Sequence, residues 1–123
     1  MSHFNLINKP WPTHIRLLKK ENTLEIEFDD GSRFNFSAEY LRVESPSAEV
    51  QGHGVSQKRI LGGCKDVGIR TVESVGNYAI RIHFSDNHST GIYSWSYLHE
   101  LGCKKNENWS RYLEMVKTLG LSR

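Results

Sequence analysis

The stretch Leu24-Glu25-Ile26-Glu27-Phe28-Asp29-Asp30-Gly31-Ser32-Arg33-Phe34-Asn35-Phe36-Ser37 decides the fold, because it reads as two strands joined by a tight turn. On both sides of the turn, apolar residues alternate with polar ones, which is the period of a strand with one solvated face. Asp30-Gly31 is typical of a hairpin turn that requires positive backbone angles. The stretch therefore predicts an antiparallel hairpin, and Ser37 is a typical N-cap for a helix that follows it.

A second copy of this pattern lies further along the chain. Four pairs of segments recur in the same order: Ile15-Arg16 as Ile69-Arg70, Ile26-Glu27-Phe28 as Ile82-His83-Phe84, Asp30-Gly31 as Asp86-Asn87, and Tyr40-Leu41 as Tyr97-Leu98. Ser94 takes the place of Ser37 before the second helical segment. Tyr78 is predicted to begin the apolar face of the second central strand, ahead of Ile80 and Ile82. We therefore predict an α+β fold in which two pseudo-repeated antiparallel three-stranded meanders, each ending in a short helix, share one core.

The last residues of the chain predict one further helix, packed on the sheets. Apolar side chains recur there at helical spacing, and Gly120 is a plausible C-cap: Trp109, Tyr112, Leu113, Val116 and Leu119. We assign residues 1–123 to a single domain, with the repeats in 12–102 and a C-terminal helical extension in 104–123.

Composition excludes several classes of protein. The chain has 123 residues, 37% of them hydrophobic, and a net charge of +2, which excludes a collagen, a disulfide scaffold and a multidomain enzyme. The longest apolar run, Tyr78-Ala79-Ile80, is far below the ~20 residues of a membrane helix. The charge is also too small to predict nucleic-acid binding. Without a leader sequence or a CxxC pair, Cys64 and Cys103 are expected to be reduced thiols in the cytoplasm.

Several short motifs carry a family resemblance when they are taken in order: Asp30-Gly31, Tyr40-Leu41-Arg42, Val75-Gly76-Asn77-Tyr78-Ala79, Asp86-Asn87-His88 and Gly91-Ile92-Tyr93-Ser94-Trp95. With them, residues 12–102 resemble the gamma-butyrobetaine hydroxylase-like N-terminal domain family, once catalogued as a domain of unknown function. The resemblance implies a module that accompanies iron- and 2-oxoglutarate-dependent dioxygenases or P-loop carriers of iron–sulfur clusters. A module found beside different catalysts is expected to bind a partner or ligand instead of performing chemistry itself.

The resemblance also implies where a metal would be. In the family, three cysteines and one histidine hold zinc, and the corresponding positions here are Ser45, Ser47, Val50 and His88. Hydroxyl and hydrocarbon side chains are poor zinc ligands, so we expect no cofactor and assign the chain to the stand-alone bacterial branch that lacks the zinc cysteines. The alternative is a metal-binding domain, zinc or otherwise, that uses His88 with His53 or Cys64 and is linked to iron–sulfur protein assembly or to a dioxygenase.

The long connection between the copies, Glu44 to Asp66, is the expected working surface, because long loops without periodicity are often functional. We expect a non-catalytic accessory domain that binds a protein or a small ligand through the Arg42–Gly54 loop. The candidate binding residues are Arg42, Ser45, Ser47 and His53. The expected protein partner is a dioxygenase or an iron–sulfur assembly factor, with no nucleic acid and no membrane. No nucleophile elbow, phosphate-binding loop or iron-binding triad predicts an enzyme, and the remaining histidines, including His99, are expected at the surface.

Overall fold

Two strand meanders and four helices make up the computed structural model, which describes residues 9–51 and 59–123. In chain order the elements are β1 (Pro12–Leu18), β2 (Thr23–Phe28), β3 (Arg33–Ser37), α1 (Ala38–Val43), α2 (Ala48–Gln51), β4 (Ile69–Val75), β5 (Ala79–Phe84), β6 (Ile92–Ser94), α3 (Trp95–Cys103) and α4 (Lys105–Thr118). The predicted α+β class and the C-terminal helix are confirmed. None of the helices within these two ranges is long and apolar enough to cross a membrane.

Each meander forms its own antiparallel sheet, in the orders β1-β2-β3 and β4-β5-β6. In the first sheet Ile26 lies opposite Phe34, and in the second Ile80 lies opposite Tyr93. These registers place the alternating apolar side chains of neighbouring strands on the same face of their sheet. The two predicted three-stranded meanders are therefore confirmed.

The first strands of the two copies correspond differently from the sequence prediction. Ile15 lies opposite Ile26, and the residue opposite Ile82, the counterpart of Ile26, is Val72. Ile15 therefore corresponds to Val72, and its predicted match with Ile69 is wrong by three residues. Ile15-Arg16 and Ile69-Arg70 contain the same two residues, but the strand pairing shows that they lie at different positions of their strands.

The hairpin turns have the backbone geometry that their sequences predict. Gly31 has φ +88° and Asn87 has φ +69°, both in the left-handed region that glycine and asparagine adopt most readily. The aspartate before each of them fixes the turn. Asp30 accepts the backbone N–H of Ser32 at 2.9 Å, and Asp86 accepts the backbone N–H of His88 at 3.2 Å.

Both serines that were predicted to cap a helix do so. The Ser37 hydroxyl accepts the backbone N–H of Tyr40 at 3.1 Å, and the Ser94 hydroxyl accepts that of Tyr97 at 3.1 Å. Each bond satisfies an amide of the first turn that has no partner inside its helix. Helices α1 and α3 therefore begin at the same place in the two copies.

One hydrophobic core serves both copies. The apolar residues of the two central strands are buried and belong to a single cluster: Leu24, Ile26 and Phe28 of β2, with Ile80, Ile82 and Phe84 of β5. Helix α4 joins this cluster through Tyr112 and Val116, whereas Leu113 and Leu119 remain exposed. The predicted packing of the C-terminal helix is thus confirmed for one side of its apolar stripe. Gly120 (φ +69°) lies just beyond the end of the helix, and the Leu121 N–H donates to the carbonyl of Val116 at 2.9 Å.

Tyr40 and Tyr97 form a reciprocal pair of hydrogen bonds between the copies, in which the helix of each copy donates to the end of the helix of the other. The Tyr40 hydroxyl of α1 donates to the carbonyl of Leu101 in α3 at 2.7 Å, and the Tyr97 hydroxyl of α3 donates to the carbonyl of Glu44 at the end of α1 at 2.5 Å. Tyr40 and Tyr97 occupy equivalent positions, and so do Glu44 and Leu101, each pair being 57 residues apart. Burial raises the pKa of Tyr40 to about 12 and that of Tyr97 further. Both hydroxyls therefore remain protonated donors at neutral pH.

Tyr97→Phe is expected to lower the free energy of unfolding by about 1–2 kcal/mol, because it removes the hydrogen bond from the Tyr97 hydroxyl to the Glu44 carbonyl. Urea denaturation followed by circular dichroism measures the change. The matched control is Tyr78→Phe, which removes a hydroxyl from a tyrosine that is 55% exposed and should change stability by less than about 0.5 kcal/mol. Equal effects of the two substitutions would show that the crossed bond contributes nothing.

Candidate functional site

The serines that follow α1 meet the histidine of the second hairpin turn. Ser45 Oγ lies 2.9 Å from His88 Nε2, and Ser47 Oγ lies 3.4 Å from the same nitrogen. Ser45 is fully buried, and His88 is 6% exposed. The structure therefore brings together three of the residues that the sequence singled out, although His88 is more than 40 positions from either serine.

The backbone around this polar cluster permits the close contact. A Cβ added at Gly91 would overlap Ser45 Oγ, so the approach of the second meander to the connecting segment requires glycine there. On the other side, the Gln51 side-chain amide donates to the Ser45 carbonyl at 2.8 Å. The serine pair is thus held inside the fold, and its hydroxyls do not face solvent.

Arg42, one of the candidate binding residues, is paired within the chain. Its Nε donates to Asp86 Oδ2 at 2.8 Å, and its side chain is only 13% exposed. Burial opposes ionisation of Asp86, but the hydrogen bonds from Arg42 and from the His88 amide outweigh it and hold the pKa of this carboxyl below its usual value. Arg42 Nη1 is buried and has no hydrogen-bond partner among the described residues. The guanidinium therefore stabilises the turn that contains Asp86 and His88.

Of the other two candidate metal ligands, Cys64 lies among the described residues. Cys64 is buried, with its sulfur 3.7 Å from the carbonyl of Gly62, and burial raises the pKa of its thiol. A thiol coordinates a metal as the thiolate, so this environment disfavours Cys64 as a ligand. His53 lies outside the described residues.

The zinc site implied by the family does not fit the residues present. Ser45 and Ser47 offer hydroxyls that lie 3.3 Å apart, and Val50, 1% exposed, offers hydrocarbon. Within 9–51 and 59–123, no three His, Cys, Asp or Glu residues come together as a metal site. Among the described residues, one imidazole and two hydroxyls form a hydrogen-bonded cluster that lacks the further anionic or nitrogen donors that a zinc site requires.

A separate feature, which we call the aromatic cleft, opens at the other end of the sheets. It has a volume of about 500 Å³. Its lining residues come from the segment before β1, from the turns and from the start of α3: Lys9, Pro10, Trp11, Asp29, Tyr78, Ser94, Trp95 and Ser96. Trp11 and Tyr78 are 49% and 55% exposed. It is about twice the volume of the cleft beside Tyr112, which measures about 230 Å³.

Sequence reasoning missed this cleft. The alternation predicts Tyr78 on the apolar face of the second central strand, but this prediction is wrong, because β5 begins at Ala79 and Tyr78 lies in the preceding turn with its ring exposed. The signal that could have indicated the turn is Gly76-Asn77, a typical turn pair. The sequence also contains no pattern that indicates a role for Trp11, which lies between two prolines in a segment without strand alternation.

Comparison with known proteins agrees with this architecture. A family described as gamma-butyrobetaine hydroxylase-like, N-terminal, matches residues 15–99. Two proteins with NMR solution structures are similar over 94% of this chain: one is 39% identical, with a TM-score of 0.83 over 91% of its own chain, and the other 41% identical, with a TM-score of 0.81 over 86%. A crystal structure from Acidithiobacillus ferrooxidans, described as a protein of unknown function in the DUF971 family, is 37% identical, with a TM-score of 0.63 over 74% of this chain and 91% of that one. Among curated proteins, none matches.

The triple substitution Ser45→Cys, Ser47→Cys and Val50→Cys is expected to create a zinc site with His88. Three thiolates and an imidazole form a complete tetrahedral ligand set, and Ser45 and Ser47 already lie beside the imidazole. Metal analysis of protein purified without an affinity tag should find about one zinc per chain in the triple variant.

Two further proteins control this experiment. Adding His88→Gln to the triple variant should weaken zinc retention by removing the fourth ligand, and the wild-type chain should retain no stoichiometric metal. A folded triple variant that holds no zinc would contradict the assignment of these positions. A stoichiometric ion in the wild type would favour the metal-binding alternative.

Proposed function

The chain belongs to the gamma-butyrobetaine hydroxylase-like N-terminal domain family, and we propose that it is a non-catalytic accessory domain that binds a protein or a small ligand. The observation that carries this proposal is the aromatic cleft with its half-exposed Trp11 and Tyr78. The similar crystal structure is itself described as a protein of unknown function. The proposal therefore rests on the residues of this chain.

The chemistry of the cleft suits recognition. Tryptophan and tyrosine present large apolar rings with a polar edge, and they dominate the binding energy of many protein interfaces. Lys9 and Asp29 add one charge of each sign to the lining, and Ser96 adds a hydroxyl. Such a cleft accepts a side chain or small molecule that combines apolar surface with a polar or charged group.

The Trp95 side chain and the backbone of Trp11 are held in place before any ligand binds. The Trp95 indole N–H donates to the carbonyl of Asn77 at 2.9 Å, and the ring meets Trp11 edge-on at 6.4 Å. The Trp11 backbone N–H donates to Asp29 Oδ1 at 3.1 Å, and the Asp29 N–H donates to the Trp11 carbonyl at 2.8 Å. A preorganised site loses less conformational entropy on binding, which favours the cleft as a binding surface.

In this proposal the described part of the connecting segment supports the fold and does not bind the ligand. Ser45 and Ser47 are buried against His88, and Arg42 is paired with Asp86. A partner could reach these groups only if the segment opened. We therefore assign the described part of the predicted Arg42–Gly54 surface to supporting the fold and place the binding surface at the aromatic cleft.

The burial of the Ser45–His88 pair also argues against catalysis at this place. Ser45 Oγ and His88 Nε2 are as close as a nucleophile and its base, but Ser45 has no solvent exposure and Gly91 closes over it. The described residues therefore leave a substrate no path to this hydroxyl. The expected partner remains a dioxygenase or an iron–sulfur assembly factor, as the family resemblance implies.

Trp11→Ala and Tyr78→Ala are expected to weaken binding of the physiological partner by about tenfold or more each, because exposed aromatic anchors carry much of the binding energy. The full chain serves as bait, bound proteins and small molecules are identified by mass spectrometry, and isothermal titration with the purified partner gives the affinity. Circular dichroism checks that the variants are folded.

Met115→Ala is the matched control, since Met115 is 36% exposed and lines a smaller cleft of about 230 Å³ beside Glu44 and Tyr112. This variant should bind like the wild type. Loss of binding in Met115→Ala with full binding in both aromatic variants would place the surface elsewhere. Turnover of a bound small molecule by the purified chain would contradict the non-catalytic role.

A further inference from the structure

An exposed thiol, an imidazole and a carboxylate lie in a row at the far end of α3. Cys103 Sγ is 3.6 Å from His99 Nδ1, and His99 Nε2 is 2.8 Å from Asp30 Oδ2. His99 and Cys103 are four residues apart and share one face of the helix, whereas Asp30 comes from the first hairpin turn. A nucleophile, a base and a group that orients the base are the parts of an activated cysteine site.

The carboxylate and the ring are both held in position. Asp30 Oδ1 accepts the hydroxyl of Ser32 at 2.6 Å as well as its backbone N–H at 2.9 Å. The ring of His99 packs edge-on against Phe28 and Phe34, with centroid distances of 5.0 and 5.5 Å. Only 20% of the His99 side chain is exposed, so its orientation toward Cys103 is fixed by packing.

The direction of the hydrogen bonds follows from the charge of Asp30. Hydrogen bonds from Ser32, and then from His99, lower the pKa of Asp30 to about 2. An ionised carboxylate only accepts hydrogen bonds, so His99 Nε2 carries a proton. In the neutral ring Nδ1 is then an acceptor, and it faces the Cys103 thiol.

The other cysteine provides an internal contrast. Cys64 is buried, its sulfur lies near the carbonyl of Gly62, and burial raises the pKa of its thiol. Cys103 is exposed and lines neither the aromatic cleft nor the smaller cleft beside Tyr112. An exposed thiol suits a small reagent that needs no recognition surface.

We propose that Cys103 is a site of reversible thiol modification that exchanges with low-molecular-weight disulfides. The Cys103 thiol gives its proton to His99 Nδ1, and the sulfur attacks one sulfur of the disulfide. The disulfide bond of the reagent breaks while a bond from Cys103 to one half forms. The other half leaves as a thiolate and takes the proton from His99, which returns to its neutral form. Asp30 is a positioning residue that acts through His99.

Glutathione disulfide tests this site in the intact chain, with adducts counted by mass spectrometry and located by peptide mapping. One glutathione should be found on Cys103, while Cys64 stays unmodified in the folded protein. His99→Gln should slow the modification by about tenfold or more, the scale of a lost general base. The matched control is His83→Gln, which removes another histidine–carboxylate pair, His83 with Glu73 at 3.0 Å, and should leave the rate unchanged.

A second variant separates positioning from folding. Asp30→Asn keeps His99 but removes the charge that fixes its tautomer, so the ring ¹⁵N shifts of His99 should move toward a mixed tautomer and the rate should fall. An unchanged rate in folded His99→Gln, or faster modification of Cys64 than of Cys103, would overturn the proposal. Because Cys103 does not line the aromatic cleft, failure here leaves the proposed binding function standing.

Discussion

The crossed hydrogen bonds of Tyr40 and Tyr97 are the constraint on which the rest of the structure depends. Each phenol leaves its own copy and satisfies a backbone carbonyl at the helix end of the other copy. A carbonyl at a helix C-terminus has no partner inside its helix, so each copy completes the other. Neither meander alone could satisfy these groups or cover the apolar face of its sheet. One core therefore results from two repeats, and the positions of all the sites follow from it.

Two further contacts between the copies position the functional groups. Arg42 reaches Asp86 of the second turn at 2.8 Å, and His99 reaches Asp30 of the first turn at 2.8 Å. Arg42 and His99 are equivalent positions, 57 residues apart, so the two contacts are copies of one another. The copies have diverged beyond them. Around Asp86 the chain has buried the serines against His88, and around Asp30 it presents an exposed thiol. A single duplicated contact thus supports a structural cluster on one side and a chemically open site on the other.

The features of the fold that local sequence determines are predictable from the sequence, whereas those that depend on contacts between the two copies are not. The alternation around Ile26, the Asp30-Gly31 turn and the Ser37 cap all act within a few residues, so their patterns predict them correctly. The match of Ile15 with Ile69 failed because strand pairing, a nonlocal property, sets the true counterpart as Val72. The family resemblance did anticipate that Ser45 and His88 are neighbours. No pattern in the sequence predicts that Asp30 lies beside His99, 69 positions away. The four-residue spacing of His99 and Cys103 indicates a contact only if both lie on one helix, as they do in α3.

Native-state hydrogen exchange tests most directly the claim that crossed contacts make two repeats one unit. The measurement follows the amides of the central strands β2 and β5 in increasing concentrations of mild denaturant. The most protected amides of both strands should open with the same free energy, equal to that of global unfolding. If the amides of one central strand opened several kcal/mol below those of the other, one repeat would unfold without its partner, and the account would be wrong.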